Sequence, residues 1–310
     1  MFWRSRWEMT MAPAALFNGL SAFPPTPADV GGKVSEEALS RLLERIRLAR
    51  ADSIGLLGST GAYAFLSRGE RRRAVEIAVE CVGGRVPLIV GVGALRTDEA
   101  QALARDAKEA GADGLLLAPV SYTPLTEEEV YQHFVAVAGV SDLPLCIYNN
   151  PGTTRFVFSE ELITRLSQVP NIAAVKMPLP ADGDFAGEIA RLRANTSAAF
   201  AIGYSGDWGA AGALLSGADA WFSVAGGLLP VAATKLTRAA KGGDRAEAHR
   251  IDTAFQPLWA LFKEFGSFRV MYAIGSILGL FQALPPRPIL PLGPRDNVRV
   301  EEAVQKLIDF

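Results

Sequence analysis

Leu143-Pro144-Leu145-Cys146-Ile147-Tyr148 and Ile172-Ala173-Ala174-Val175-Lys176 are two short apolar runs. Between them the chain opens a segment on Ser159, follows it with Glu160 and Glu161, and then places apolar residues at helical spacing. Runs that are apolar at nearly every position, rather than at every second one, belong to strands buried on both faces, as in a parallel sheet covered by helices. A Ser followed by acids marks a helix N-terminus, where the hydroxyl caps a free N–H and the acids face the positive end of the dipole. The stretch therefore reads as strand, helix, strand.

Working outward, the same unit recurs about eight times, the number of a closed (β/α)8 barrel. The expected strands are 14–18, 53–58, 86–91, 114–118, 143–148, 172–176, 198–203 and 220–224. Segments 35–50, 97–110, 126–139 and 159–167 open on Ser or Thr and carry acids in the first turn. Gly111-Ala112-Asp113 and Gly217-Ala218-Asp219 are near-identical connectors, with Gly placed for the left-handed residue that ends a helix before a strand. A doubly wound open sheet is the competing architecture, but no G-x-G-x-x-G phosphate loop follows the first strand at Asn18-Gly19. From about Arg238 onward the pattern is helical, around 246–265, 268–280 and 300–308, with a proline-rich break over 285–294. The expectation is an α/β fold: an N-terminal extension over 1–12, a (β/α)8 TIM barrel over 13–237, and a C-terminal helical extension over 238–310 packed on the barrel.

Composition narrows the function. With 310 residues, 49% of them hydrophobic, the chain has room for two ordinary domains or for one α/β barrel of roughly 250 residues plus an extension, and the order of elements decides for the barrel. A net charge of -2 with interspersed signs provides no basic stripe, so nucleic acid is not the expected partner. Cys81 and Cys146 sit alone in apolar runs, and His133 and His249 are the only histidines, so neither a disulfide nor a zinc site is expected. No run reaches about 18 uninterrupted apolar residues, and MFWRSRWEMT is followed by a proline-broken stretch rather than a signal-peptide core. The expected location is the cytoplasm, without a membrane partner.

In such barrels the chemistry gathers at the C-terminal ends of the strands. Lys176 ends the sixth expected strand after four apolar residues, and Met177-Pro178 stops it. Desolvation disfavours an ammonium and leaves a neutral amine that attacks carbonyls; a strand-end lysine that snorkels to solvent is the competing reading. Tyr148 ends the neighbouring strand, about 5 Å away in a sheet, where its phenol is able to shuttle a proton; it serves equally as an aromatic cap on the core. Gly58-Ser59-Thr60-Gly61 offers backbone N–H groups and two hydroxyls to a small anion such as a carboxylate, or is an ordinary βα turn. Tyr122 lies in a proline-bounded loop and supplies a second phenol or an oligomer contact, while Phe222 ends the eighth strand as pocket lining or core.

Together these residues resemble the dihydrodipicolinate synthase and N-acetylneuraminate lyase family of class I, Schiff-base-forming, pyruvate-dependent aldolases, over about residues 16 to 292. The family pattern G-[TS]-T-G-E appears as Gly58-Ser59-Thr60-Gly61-Ala62, Y-N-x-P as Tyr148-Asn149-Asn150-Pro151, and the strand-six lysine as Val175-Lys176, 28 residues after the tyrosine. The resemblance implies Lys176 as the Schiff-base nucleophile, Tyr148 as acid and base, and Gly58, Ser59 and Thr60 as the cradle for the substrate carboxylate. It implies Tyr122 as the tyrosine that completes a proton relay across a subunit contact, hence a dimer and commonly a homotetramer, and a Phe222 carbonyl that faces the bound 2-oxo acid. No metal or organic cofactor is implied.

Four positions, in three places, depart from the family. The arginine that binds the aldehyde partner's carboxylate in dihydrodipicolinate synthases is replaced by Thr153, with Arg155 two residues on; Ala62 replaces the Glu; and Met177-Pro178 replaces Glu-Ala after the lysine. Loss of a bidentate carboxylate clamp disfavours lysine biosynthesis. The loop over 121–126 is similar to branches that act on 2-keto-3-deoxy sugar acids. The expected function is a lyase acting through a Schiff base with pyruvate or another small 2-oxo acid, with 2-keto-3-deoxy-type acids as substrates. The dihydrodipicolinate synthase condensation and a sugar acid dehydratase are the catalytic alternatives, and a 2-oxo acid binding protein the non-catalytic one.

Overall fold

The computed structural model describes residues 13–308 and 310; the N-terminal extension expected over 1–12 lies outside the described residues. Eight parallel strands close into a barrel in sequence order: β1 (Gly19–Ala22), β2 (Ser53–Leu56), β3 (Leu88–Gly91), β4 (Gly114–Leu117), β5 (Leu145–Tyr148), β6 (Ile172–Met177), β7 (Ala201–Tyr204) and β8 (Ala220–Ser223). The helices α1 (Pro13–Leu16), α2 (Glu36–Leu48), α3 (Arg68–Val82), α4 (Thr97–Ala110), α5 (Glu127–Ala138), α6 (Pro151–Thr154), α7 (Glu160–Ser167), α8 (Phe185–Asn195), α9 (Ala210–Leu215) and α10 (Pro230–Lys241) precede or alternate with them. The expected (β/α)8 architecture is the one observed.

Local chemistry accounts for the elements. Ser35, Ser67 and Ser159 each accept the backbone N–H three residues on, and Thr126 with Glu129 forms a reciprocal capping box. Gly111 and Gly217 take φ of 99° and 97°, left-handed values that end α4 and α9 before the next strand. Thr97 is an exception: it lies inside α4, with Arg96 at the cap, and its hydroxyl meets His133 Nδ1 at 2.9 Å instead.

One strand stands elsewhere than expected. The apolar run at 14–18 begins as the single helical turn α1, and β1 follows it. Leu16 and Phe17 are buried within the barrel, and a side chain on Gly114 at the start of β4 would place its Cβ 2.4 Å from Leu16 Cδ2. Their hydrophobicity therefore plugs the N-terminal end of the barrel rather than building its wall. A short apolar run does not distinguish the two uses.

Inside and outside alternate along each strand with period two. Cys146 and Tyr148 of β5, Ala174 of β6, Ala201 of β7, and Ala220 and Phe222 of β8 belong to the barrel interior, whereas Ile147, Val175, Ile202 and Trp221 pack in the layer between sheet and helices. Lys176, two residues beyond Ala174, faces inward by the same parity. Register places it level with Tyr148 on one side and Gly203 on the other.

After α10 come α11 (Arg245–Phe265), α12 (Ser267–Ile277) and α13 (Pro294–Ile308). The last begins six residues before the expected start, since Pro294 opens it at the one position where a missing N–H costs nothing. In α11, Phe255 and Trp259 stack at 4.5 Å in the core, and Lys263 Nζ lies 5.5 Å from the ring centroid of Trp208, in the loop after β7. Among the described residues, no helix is long and apolar enough to cross a membrane.

Candidate active site

At the C-terminal mouth, Lys176 is 3% exposed and its Nζ sits among aromatic rings: 4.0 Å from the centroid of Phe23, 4.1 Å from Tyr148 and 5.6 Å from Phe222. Nζ makes no ion pair with any described residue. Its flanks are built to leave room for it. Gly203, level with Lys176 on β7, has no space for a side chain, since a Cβ there would stand 2.6 Å from Phe222 Cε2. Phe23 and Phe222 meet edge to face at 6.1 Å, a favoured arrangement of ring quadrupoles.

The Tyr148 hydroxyl has two neighbours. Asn150 Nδ2 donates to it at 2.8 Å, and Ser59 Oγ lies 3.4 Å from it. With one lone pair engaged by the amide, the phenol proton is free to point to Ser59.

The loop after β2 is strained. Leu57 and Ala62, which bracket Gly58-Ser59-Thr60-Gly61, both hold left-handed backbone with φ of 57°. The Leu57 carbonyl presses so closely on β3 that a Cβ on Gly91 would stand 1.9 Å from it, and a Cβ on Gly58 would stand 2.6 Å from Phe23 Cδ1. Such conformations persist where the surroundings over-determine them, and they cluster at functional sites. Thr60 is buried and Ser59 half-buried beside Tyr148.

Across the mouth, Asp207 organises the exit of β8. Its carboxylate accepts from Trp221 Nε1 at 2.8 Å, Ala225 N at 2.7 Å and Val224 N at 3.2 Å, and so fixes the backbone that follows Phe222. Complete burial pushes its carboxyl up to about 6, against the lowering effect of those donors. Cys146, inside the barrel two residues before Tyr148, has its thiol pushed up by burial and stays unreactive. Both cysteines are free. Among the described residues no group of three or more His, Cys, Asp or Glu is placed to hold a metal ion.

Thus Lys176, Tyr148, Ser59 and Phe222 converge, and Gly58 and Thr60 belong to the loop beside them. Tyr122 does not join them within this chain: it is 96% exposed. Phe23, Asn150 and the anchoring part of Asp207 were not read from the sequence. Phe23 was hidden by the displaced first strand, although the Pro24-Pro25 that follows it is a strand-stop signal.

The dihydrodipicolinate synthetase family model matches residues 16–307, almost the whole chain. The chain belongs to this family. A curated relative, the 4-hydroxy-tetrahydrodipicolinate synthase of Methylococcus capsulatus, is 34% identical over 283 residues, covering 91% of this chain and 95% of the relative. Among solved structures, a dihydrodipicolinate synthase from Agrobacterium tumefaciens is 62% identical with a TM-score of 0.94, covering 95% of this chain and 99% of that one. A dihydrodipicolinate synthase from Acinetobacter baumannii, solved in complex with pyruvate, is 28% identical with a TM-score of 0.84, covering 94% and 99%. As a member of the dihydrodipicolinate synthetase family the chain is an enzyme, a lyase of the class I, Schiff-base, pyruvate-dependent aldolase type.

Proposed function

We propose that Lys176 is the Schiff-base nucleophile and that pyruvate or another small 2-oxo acid is its substrate. The observation that carries this is an inward amine, 3% exposed, with aromatic faces around it and no carboxylate paired to it among the described residues. The amine adds to the 2-oxo carbon. Tyr148 protonates the hydroxyl of the carbinolamine, water leaves, and the iminium draws electrons from the neighbouring carbon, so that a C3 proton is lost or a carbon–carbon bond is made or broken. The hydroxyls and backbone of Gly58-Ser59-Thr60 hold the carboxylate, and the Phe222 carbonyl faces the bound acid.

The longer substrate is a 2-keto-3-deoxy-type acid. Thr153 stands where the synthases place an arginine clamp; it and Arg155, two residues on, are both exposed, and Arg155 takes a left-handed φ of 59° without a carboxylate partner among the described residues. A second reading, the 4-hydroxy-tetrahydrodipicolinate synthase condensation, is favoured by the names of the 34%-identical relatives. The chain works as a homo-oligomer in the cytoplasm, with exposed Tyr122 at a subunit contact and free thiols suited to a reducing compartment.

Intact-mass spectrometry after incubation with pyruvate and borohydride, followed by peptide mapping, tests the reading. A reduced pyruvyl adduct confined to Lys176 and lost in Lys176→Ala is expected. No adduct across a panel of 2-oxo acids would overturn it, and turnover of sugar acids against aspartate semialdehyde separates the two substrate readings.

A further inference from the structure

Phe23 is the ring nearest to the amine, and packing alone does not explain why it is aromatic. It stands just beyond β1, 1% exposed, with Lys176 Nζ over its ring at 4.0 Å from the centroid. Two glycines make room for it. A Cβ at Gly55 would stand 2.1 Å from Cζ and 2.3 Å from each Cε, near-equal distances that place it over the ring, and one at Gly58 would meet the Cδ1 edge at 2.6 Å. Gly55 belongs to β2 and Lys176 to β6, strands that stand opposite each other in the closed order, so the ring is held between backbone and amine. Phe222, edge to face at 6.1 Å, steadies it from a third side.

A positive charge at this place lacks the usual compensation. Nζ makes neither a hydrogen bond nor an ion pair with any described residue. Asp207, the buried acid across the mouth, commits its carboxylate to Trp221 Nε1, Val224 N and Ala225 N. A cation taken out of water needs a partner, and the face of an aromatic ring offers one through the negative side of its quadrupole. Filling the space would ask only for an apolar side chain of the right size.

We propose that Phe23 is a catalytic residue whose π-face stabilises the iminium on Nζ as the carbinolamine loses water. The inference rests on the Schiff-base reading of Lys176. In that step the carbon–oxygen bond of the carbinolamine breaks, Tyr148 supplies the proton that turns the leaving hydroxyl into water, and the nitrogen lone pair forms the C=N bond. Nitrogen passes from neutral to positive over the ring, and nothing is oxidised or reduced. Hydrolysis of the adduct runs the same step backwards and discharges the cation. The ring therefore lengthens the life of the adduct, whatever the protonation of the free amine.

The test replaces Phe23 in turn by mono-, di- and trifluorophenylalanine, which keep the ring and drain negative charge from its face. Enzyme loaded with pyruvate is diluted into a large excess of pyruvate-free buffer and quenched with borohydride at intervals, and intact mass gives the adduct remaining. Decay is expected to quicken at each step of the series, by about tenfold in total, the size of a desolvated cation–ring interaction. The same series at Phe222, whose centroid lies 5.6 Å from Nζ, is expected to give a clearly shallower trend. Equal lifetimes across the Phe23 series overturn the inference, and so do equal trends at the two positions. If wild type forms no adduct at all, the Schiff-base reading fails, and this inference with it.

Discussion

Gly55 is the position at which the aromatic enclosure of Lys176 is most open to a quantitative test. A Cβ added there would stand 2.1 Å from Phe23 Cζ and 2.3 Å from both Cε atoms. Carbon atoms rest at about 3.5–4.0 Å, so the ring tip must retreat by about 1.5 Å to make an ordinary contact. Little space exists for that movement: Gly58 lies against one edge of the ring, Phe222 meets it at 6.1 Å, and Lys176 Nζ lies 4.0 Å from its centroid. Overpacking of a closed core costs about 1–3 kcal/mol. Gly55→Ala is expected to lose that much unfolding free energy in urea, and to slow borohydride capture of pyruvate by as much as about 100-fold, because a displaced ring moves the amine with it. Phe23→Leu should relieve the collision, so the double variant is expected to be more stable than the sum of the singles by at least about 1 kcal/mol. A Gly55→Ala enzyme within about 0.5 kcal/mol of wild type, with unchanged capture, would refute the packing argument.

Four further outcomes follow from contacts around the site. Tyr148→Phe is expected to slow turnover by about 100-fold or more, and Asn150→Ala, which removes only the 2.8 Å donor to that phenol, by about tenfold, as for a lost hydrogen bond to a developing charge; steady-state kinetics at saturating substrate decides both. Asp207 has its folded value raised to about 6 by burial, so its contribution to stability is present below the unfolded carboxylate value and is lost as pH rises through about 6. Denaturation across that window should show the advantage of wild type over Asp207→Asn shrinking by roughly 3 kcal/mol, and a difference that grows with pH contradicts the assignment. Buried Arg71 donates to Gly91 O at 2.9 Å and Gly93 O at 3.0 Å; Arg71→Met removes both bonds and is expected to cost about 1–3 kcal/mol in chemical denaturation, and a neutral result means that water replaces them.

Much of the architecture was readable because burial on both faces writes itself into a strand as a continuous apolar run. Ala174-Val175-Lys176 shows how far this goes: the parity that sends Ala174 inward sends Lys176 inward too, so a lone amine after an apolar run was already informative. Leu16 and Phe17 show where it stops, since a plug and a wall both need only apolar residues. The partners of the site were harder to read because they depend on tertiary distance. Asn150 sits in the same quoted motif as Tyr148, yet nothing in its spacing says that its amide turns back two residues to the phenol. Arg71 is one of three consecutive arginines, and nothing in that run says which is buried; the closed barrel shows Arg71 inside while Arg72 and Arg73 reach exposed glutamates.

The left-handed residues Leu57 and Ala62 bear on the thermodynamics of binding as well as on shape. Holding two non-glycine residues in that conformation costs roughly 1–2 kcal/mol each, and the cost falls on folding, before any ligand arrives. A pyruvate-sized acid has few atoms with which to offset the ordering of a loop. A cradle that is already shaped asks for little conformational entropy at the moment of capture, so association should show only a small entropic penalty.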